Sequence, residues 1–256
     1  TGRPTTNLSD GEFRYNTTTK KVEFYDGADW FALTSTVSFP QAGTTGTCNY
    51  PVTASILYQF NDSVADTCNN YNGTAYNLNA YVAGKFGKAA SFNGSTSYVQ
   101  TGFTLPANST MSFSFWLYPI GYLSGDSYIW SDLNSGGSGS SRGLDFRFSS
   151  AGNFIVDILT STGVISYAIA LNAWVNLVVT IDGTDVKLYK NGATTPVQTG
   201  TSGSAFGTAG PRQVTLGRAG DYTPTAHYNG YMDQLRVFPS VLTPAQVTAL
   251  ATETAP

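Results

Sequence analysis

The chain has 256 residues, of which 41% are hydrophobic and only 11% charged, and its formal net charge is −3 with a pI near 5.0. The 13 Lys and Arg residues are scattered, which argues against nucleic-acid binding because neutralising phosphates requires a clustered basic surface. No apolar run approaches the length of a membrane span, and the many Gly, Ser, Thr and Asn residues favour strands joined by polar turns.

The first patterned segment, residues 11–33, reads "GEFRYNTTTKKVEFYDGADWFAL". It predicts three short strands and two turns, with Phe13 and Tyr15 on one face of the first strand and Trp30 at the start of the third. A meander of this size is only marginally stable by itself. We therefore interpret residues 1–36 as an assembly module whose aromatic residues are covered by the next domain, by further copies of the chain or by a larger assembly.

Residues 37–53 are rich in Thr, Gly and Pro without periodicity, so we interpret them as a linker. From residue 54 to 256, short strand patterns alternate with turn signals, which predicts an antiparallel β-sandwich. Alternation puts Phe113, Phe115 and Leu117 on one face of one predicted strand. In another predicted strand it puts Val175, Leu177, Val179 and Ile181 on one face. A short C-terminal helix is predicted at "TPAQVTALAT", because Thr243 suits the N-cap and Pro244 the first helical position.

The motifs of this second domain resemble those of the laminin-G-like, concanavalin A-like lectin/glucanase jelly roll. Six segments carry the resemblance in the family's order: "LYQFNDSVADT", "GKFGKAASFNGSTSYV", "MSFSFWLYP", "WVNLVVTIDGTDVKLYKNG", "VTLGRAG" and "YNGYMDQLRVFPSVLTPAQVTAL". Together they cover nearly all of residues 54–250. The resemblance implies an all-β jelly-roll fold and a lectin-like function.

The opening module carries a second resemblance. The segment "RPTTNLSDGEFRYNTTTKKVEFYDGADW" is similar to a short repeat of tail-fibre and other virion surface proteins of bacteriophages. The segment "CNYPVTASILYQFNDSVADTCNNYNGTA" is also similar to phage-borne versions of the lectin-like domain. These resemblances imply a virion surface location and contacts with other virion proteins through residues 1–36, or a homo-oligomer such as a trimer.

The sequence leaves open whether the two cysteines, Cys48 and Cys68, are bonded to each other. The chain has no CxxC pair, and the single His227 completes neither a zinc set nor a catalytic triad. The cysteines are either free thiols or a disulfide that ties the linker to the second domain. Such a disulfide would contribute a few kcal/mol at most in the loop-entropy model.

Because the resembled family includes glucanases, hydrolysis of a glycan is one hypothesis for the function. A glycosidase of this kind needs two carboxylates beside the scissile bond, and the chain has only Glu12, Glu23 and Glu253 as glutamates. None of them lies on a predicted jelly-roll strand, and we interpret Asp145 and Asp157 as solvated strand positions. We therefore predict that the chain has no catalytic residues.

A calcium site is predicted around Asp233 in "YMDQLRV". Simple alternation places Asp233 on the same face as Tyr231, Leu235 and Val237, and an ionised carboxylate on an apolar face is costly unless it is paired or bound to a cation. The alternative is that backbone N–H groups or a Lys or Arg side chain satisfy this carboxylate without a metal.

The family resemblance implies where the other calcium ligands lie, since related domains often bind Ca²⁺ between their first and last strands. It maps the site onto Asn61, Asp62, Asn93 and Asp233, with Asp66 as a further contributor. Carboxylate and carbonyl oxygens are the ligands that Ca²⁺ prefers.

A glycan site is expected where aromatic rings lie beside polar groups. Tyr122, Trp130, Tyr222 and Tyr228 fall in or near predicted loops and are the candidate ligand-binding residues. Core or edge packing is the competing explanation for each ring.

Three functions fit the sequence. The favoured one is a non-enzymatic phage virion surface protein, a capsid decoration or fibre component that displays a lectin-like domain toward a cell-surface glycan. The alternatives are a secreted bacterial carbohydrate-binding module or adhesin, and a glycoside hydrolase. The chain begins at Thr1 without a signal-peptide pattern, so we expect it to be part of a longer polypeptide or processed at its start.

Overall fold

The computed structural model describes a large part of the chain, in segments. These are residues 13–16, 21–25, 30–32, 48–78, 80–106, 110–132, 143–158, 161–205, 212–220 and 226–254. Contacts divide the chain into two compact units, Thr1–Gln41 and Ala42–Pro256. Within the described residues, no helix combines the length and apolarity needed to cross a membrane.

The first unit contains the predicted three-stranded meander. Its strands are Phe13–Asn16 (β1), Lys21–Tyr25 (β2) and Trp30–Ala32 (β3), and they form one antiparallel sheet in the order β1-β2-β3. In the backbone register, Phe24 pairs with Phe13 on one side and with Phe31 on the other.

The second unit is built from two antiparallel sheets. Its strands are Ile56–Tyr58 (β4), Thr74–Tyr76 (β5), Tyr81–Ala83 (β6), Lys88–Asn93 (β7), Tyr98–Leu105 (β8), Thr110–Pro119 (β9), Ser127–Ser131 (β10), Leu144–Phe148 (β11), Asn153–Ile158 (β12), Ser161–Ala168 (β13), Val175–Asp182 (β14), Asp185–Lys190 (β15), Gln198–Thr201 (β16), Arg212–Leu216 (β17) and Asn229–Phe238 (β18). One sheet has seven strands in the order β13-β12-β11-β10-β17-β8-β5. The other sheet has eight strands. Seven of them follow the order β16-β15-β14-β9-β18-β7-β6, and the eighth, β4, pairs with β18.

The core lies between these two sheets. Phe113 and Phe115 of β9 pack against Phe146 of β11, with ring centroids 5.1 and 5.5 Å apart. Trp130 is fully buried and packs on Phe113 at 5.1 Å. The core also contains the apolar residues that alternation in β14 predicted, namely Val175, Leu177, Val179 and Ile181. The predicted sandwich is therefore confirmed.

The predicted C-terminal helix is present as Pro244–Thr252 (α1). The Thr243 side chain caps the N–H of Gln246, and the Gln246 side chain accepts in return from the Thr243 N–H at 2.8 Å. Val247 and Leu250 bury the helix in a second apolar cluster on the outer face of the eight-stranded sheet. That cluster is completed by Ala54, Val178, Tyr189, Phe238 and Leu242.

Strand β18 departs from simple alternation. Its pairing with β9 shifts register between Asp233 and Arg236, and Gln234 has a positive φ of 48°. An extra residue in one strand reverses which face the following side chains occupy. Leu235 therefore points into the core, whereas Asp233 lies opposite Trp116 on the outer face. The prediction that Asp233 shares a face with Leu235 and Val237 is wrong for this reason.

The segment before β4 is tied to the second unit by a disulfide between Cys48 and Cys68, whose Cα atoms are 5.4 Å apart. The bonded segment is itself held by the buried carboxylate of Asp66. This carboxylate accepts four backbone N–H bonds, from Leu57 at 2.9 Å, Cys68 at 3.0 Å, Asn70 at 3.2 Å and Tyr71 at 3.0 Å.

We predict that removing the disulfide with Cys48→Ser and Cys68→Ser together lowers the free energy of unfolding. The expected loss is about 3 kcal/mol, because the bond closes a loop between residues 20 positions apart. Denaturant unfolding of the variant and of the reduced wild type should give matching midpoints. Mass analysis of unreduced chain alkylated in denaturant should find no modified thiol, and two modified thiols would contradict the bond.

Candidate functional site

A row of polar residues crosses the outer face of the seven-stranded sheet. Backbone pairing aligns one residue from each of six strands in this polar row: Thr74, Gln100, Thr215, Ser131, Asp145 and Asp157. Their strand neighbours, such as Val99, Leu216 and Phe146, point into the core. With strands about 4.8 Å apart, the polar row is about 24 Å long.

The end of the polar row on β11 and β12 is buried and charged. Asp145 and Asp157 are 0% exposed and lie directly opposite each other. Asp157 binds the Arg147 guanidinium with a 2.6 Å Nε–Oδ2 contact and accepts the N–H of Gly163 at 2.6 Å. Both aspartates were expected to be solvated strand positions, and their burial shows that this expectation was wrong.

Arg147 links this buried end to the surface. Its Nη1 lies 2.6 Å from Oδ1 of Asp126, whose side chain is 43% exposed, whereas that of Asp157 is 0% exposed. Burial alone would lower the pKa of Arg147, but the hydrogen bond and charge of Asp157, followed by the charge of Asp126, raise it. The guanidinium therefore places a permanent positive charge beside the buried Asp157 carboxylate.

The other end of the polar row, on β5, β8 and β17, is open to solvent. Thr74 and Gln213 are exposed, and Gln100 is half-buried. Gln100 Nε2 donates to Gln213 Oε1 at 2.7 Å, and Gln213 Nε2 donates to the Thr101 carbonyl at 3.0 Å. These bonds fix the orientation of both amides, so the open end presents positioned donors and acceptors.

The predicted calcium ligands are only partly brought together. Asn61, Asp62 and Asp233 all contact the turn formed by residues 84–88. Asn93 lies at the far end of β7, about 16 Å along the strand from Lys88. Its Oδ1 accepts the N–H groups of residues 95, 96 and 97 instead. Asn93 is therefore corrected from a metal ligand to a turn-forming residue.

Asp233 is the buried member of this group. It is 0% exposed, its Oδ2 accepts the N–H of Phe86 at 2.9 Å, and its Oδ1 has no hydrogen-bond partner among the described residues. Burial raises the pKa of Asp233 to about 7, against the opposing effect of nearby backbone N–H groups. The backbone bond from Phe86 meets part of the metal-free alternative, and a cation at this carboxylate stays a prediction.

Asn61 and Asp62, which contact the same turn as Asp233, differ in what they could offer a calcium ion. Asn61 supplies an amide oxygen that accepts the Lys88 N–H at 2.8 Å, whereas Asp62 pairs with the Lys88 ammonium at 2.7 Å on the surface. In the part of the chain that the structure describes, no three or more His, Cys, Asp or Glu side chains cluster. Asp233 and Asn61 are thus the residues that would hold the ion, and calcium stays a prediction.

The three predicted ligand-binding aromatics that the structure describes, Tyr122, Trp130 and Tyr228, pack in or against the core rather than on the polar row. Trp130 and Tyr228 are 0% and 1% exposed in the core, so the expectation that their rings contact a ligand is corrected. Tyr122 packs on Phe148 at 5.2 Å and donates its hydroxyl to the Ile169 carbonyl. Tyr222 lies outside the described residues.

Sequence reasoning did not find the polar row. The segments "LDFRF" and "NFIVDI" show the alternation that puts Asp145 and Asp157 on one face. They do not reveal the register that aligns residues from six different strands, because register depends on turns and bulges far apart in the chain.

Comparison with known proteins places the fold. Residues 93–248, more than half of the chain, match the laminin-G-type family described as the concanavalin A-like lectin/glucanases superfamily. The chain matches no curated protein sequence.

Solved structures show the same fold at low identity. Domain 4 of AbnA, an extracellular arabinanase from Geobacillus stearothermophilus solved with arabinotriose, is 24% identical with a TM-score of 0.58 over 78% of this chain and 98% of that one. A heptameric pentraxin from Limulus polyphemus is 20% identical with a TM-score of 0.52 over 63% and 80%. The receptor-binding domain of botulinum neurotoxin type G is 13% identical with a TM-score of 0.55 over 77% of this chain and 50% of that one.

We predict that Asp157→Ala destabilises the fold by about 3 kcal/mol, because it leaves the mostly buried Arg147 guanidinium without its buried partner. Asp126→Ala is the matched control. It removes the half-exposed partner of the same guanidinium and should cost less than about 1 kcal/mol. Denaturant unfolding measures both, and equal losses would contradict the unequal roles of the two carboxylates.

We predict that the stability of the fold depends on pH and on calcium through Asp233. Because its pKa is raised from 3.8 to about 7, ionisation opposes folding. Without a cation, stability should fall by about 2–4 kcal/mol as the pH rises from about 4 to 7. Asp233→Asn should flatten this dependence. At pH 8, calcium should raise the melting temperature of the wild type and leave the variant unchanged, whereas equal melting in calcium and in EDTA would exclude the site.

Proposed function

Because the chain belongs to the concanavalin A-like lectin/glucanases superfamily, we propose that it is a non-enzymatic glycan-binding protein of a bacteriophage virion surface. It acts as a capsid decoration or a fibre component. The observation that carries the glycan-binding part is the polar row on the outer face of the seven-stranded sheet.

The chemistry of the polar row suits a sugar. Sugar hydroxyls donate and accept hydrogen bonds, and its open end offers both from the oriented amides of Gln100 and Gln213. Thr74 adds an exposed hydroxyl. Two structurally similar proteins also point to recognition: the arabinanase domain was solved with arabinotriose, and the neurotoxin domain is a receptor-binding domain.

The carboxylates favour binding over hydrolysis. Hydrolysis of a glycosidic bond requires a protonated acid beside a second carboxylate. Asp157 is buried in a 2.6 Å ion pair with Arg147, and Glu253 is bound by Arg236 through contacts of 2.7 and 2.9 Å. Neither is placed to donate a proton to a sugar.

The virion assignment rests on the first unit. The segment 1–36 resembles a phage virion repeat, and its β1–β3 sheet has only three strands. A sheet this small needs further burial to be stable. We propose that the unit binds other virion proteins or copies of itself, with a trimer as one arrangement, and that the lectin-like unit faces the host cell.

Direct binding measurements test the proposal. The full chain should bind at least one glycan on an array that includes bacterial surface polysaccharides, and the binding should be saturable and absent after heat denaturation. Incubation with the bound oligosaccharide should yield no shorter product by mass spectrometry. A chain that binds no glycan would contradict the proposal, and a chain that cleaves its ligand would show that it is a hydrolase.

Labelling and sedimentation test the virion assignment. Antibody against the chain should decorate intact phage particles, and sedimentation of the full chain should show an oligomer. A secreted carbohydrate-binding module would instead bind glycan as a monomer and be absent from particles.

A further inference from the structure

We propose that Tyr76, at the open edge of the seven-stranded sheet, is the aromatic platform on which a neutral sugar ring stacks. This inference rests on the proposed glycan-binding function. It adds the position of the sugar and the class of glycan, because the open end of the polar row begins on the same strand as Tyr76.

Tyr76 is unusually exposed for a large apolar side chain. It is 38% exposed and, with Leu171 at 37%, is one of two exposed large hydrophobic residues in the described segments. It lies on β5, the last strand of the sheet, where all three residues are exposed. Exposed aromatic rings that are held in place, rather than free, are typical of ligand contacts.

The Tyr76 ring is held in a stack. Its centroid lies 4.5 Å from that of Tyr98, and the two ring planes differ by only 5°. The guanidinium of Arg218 lies 3.5 Å from the centroid of Tyr98. Arg218 follows β17 and Tyr76 belongs to β5, and these two strands flank β8 on opposite sides. The order of the three side chains across these strands is therefore Arg218, Tyr98 and Tyr76.

This stack occupies one face of the Tyr76 ring and fixes the ring before a ligand arrives, and from the 38% exposure of the residue we infer that the other face is open. A ring that is already immobilised loses little rotational freedom on binding, so more of the contact energy appears as affinity. Pyranose and furanose rings present C–H groups on one face and hydroxyls at the rim, which suits an open aromatic face bordered by polar groups. Thr74 is two residues from Tyr76 and on the same face of β5, and Asn77 follows the ring with an exposed amide.

The surroundings of the platform favour a neutral glycan. The sequence has no charged residue between Asp66 and Lys85, so the edge strand brings no cation to pair with a sialic acid, uronic acid or phosphate. Arg218 is only 9% exposed and lies behind Tyr98. Acidic glycans are usually bound by accessible Arg or Lys side chains.

The test uses the full chain and the best neutral glycan from the array. Tyr76→Ala should weaken binding about tenfold, which is the scale of one aromatic stacking contact, and Tyr76→Phe should keep wild-type affinity. Tyr231→Ala is the matched control, because Tyr231 is a half-buried ring of the opposite sheet that stacks on Tyr118 at 5.4 Å. It should change affinity less than twofold. Circular dichroism and melting curves confirm that each variant is folded.

Each outcome separates this inference from the proposed function. If the wild type binds a neutral glycan and Tyr76→Ala binds it equally well, the inference is overturned and the glycan-binding function stands. Equal losses in Tyr76→Phe and Tyr76→Ala would also overturn it, because they would assign the effect to the hydroxyl rather than the ring. Binding of acidic glycans only would overturn the predicted class. If the wild type binds no glycan, the proposed function itself fails.

Discussion

The alternation of side chains along β18 is the constraint on which the sandwich depends. This strand pairs with β9 along its length, with β7 over its first half and with β4 over its second half. The extra residue at Gln234 lies where β18 changes partner from β7 to β4. Met232 and Leu235 consequently both reach the core, which strict alternation would not allow. The same residue places Asp233 and Arg236 on the outer face.

The outer face of β18 then requires partners for buried charges. Arg236 and Glu253 bind each other through a 2.7 Å contact, with side chains 1% and 0% exposed. A buried ion pair contributes little net stability compared with an apolar pair, but losing one partner is costly. The pair therefore acts mainly to fix the residues after α1 against β18. Asp233 differs, because one of its oxygens has no hydrogen-bond partner among the described residues and burial raises its pKa to about 7.

The sequence was sufficient for the architecture because each strand carries its own period-2 signal. The core positions of β9 and β14 and the cap of α1 were predicted correctly from local pattern alone. The errors share one origin: each concerns a property that depends on contacts between strands far apart in the sequence. The face of Asp233 depended on a bulge that alternation cannot reveal, and the burial of Asp145 depended on pairing with Asp157 and Ser131 in other strands. Trp130 was assigned to a ligand site because its neighbourhood is loop-like, yet it fills the space between the sheets.

The two sheets differ in what covers their outer faces, and this difference is the reason that we propose recognition on the seven-stranded sheet. On the eight-stranded sheet, α1 packs on Val178 and Phe238, and Ala54 joins the same cluster. The Cys48–Cys68 disulfide holds the segment before β4 against this face. The outer face of the seven-stranded sheet keeps its polar row, buried at β11 and β12 and open at β5 and β8. A sugar bound as we propose at the open edge would contact the oriented amides of Gln100 and Gln213 and the stacked ring of Tyr76. The buried charges of Asp145 and Asp157 lie at the other end of the polar row, so this position suits an uncharged ligand.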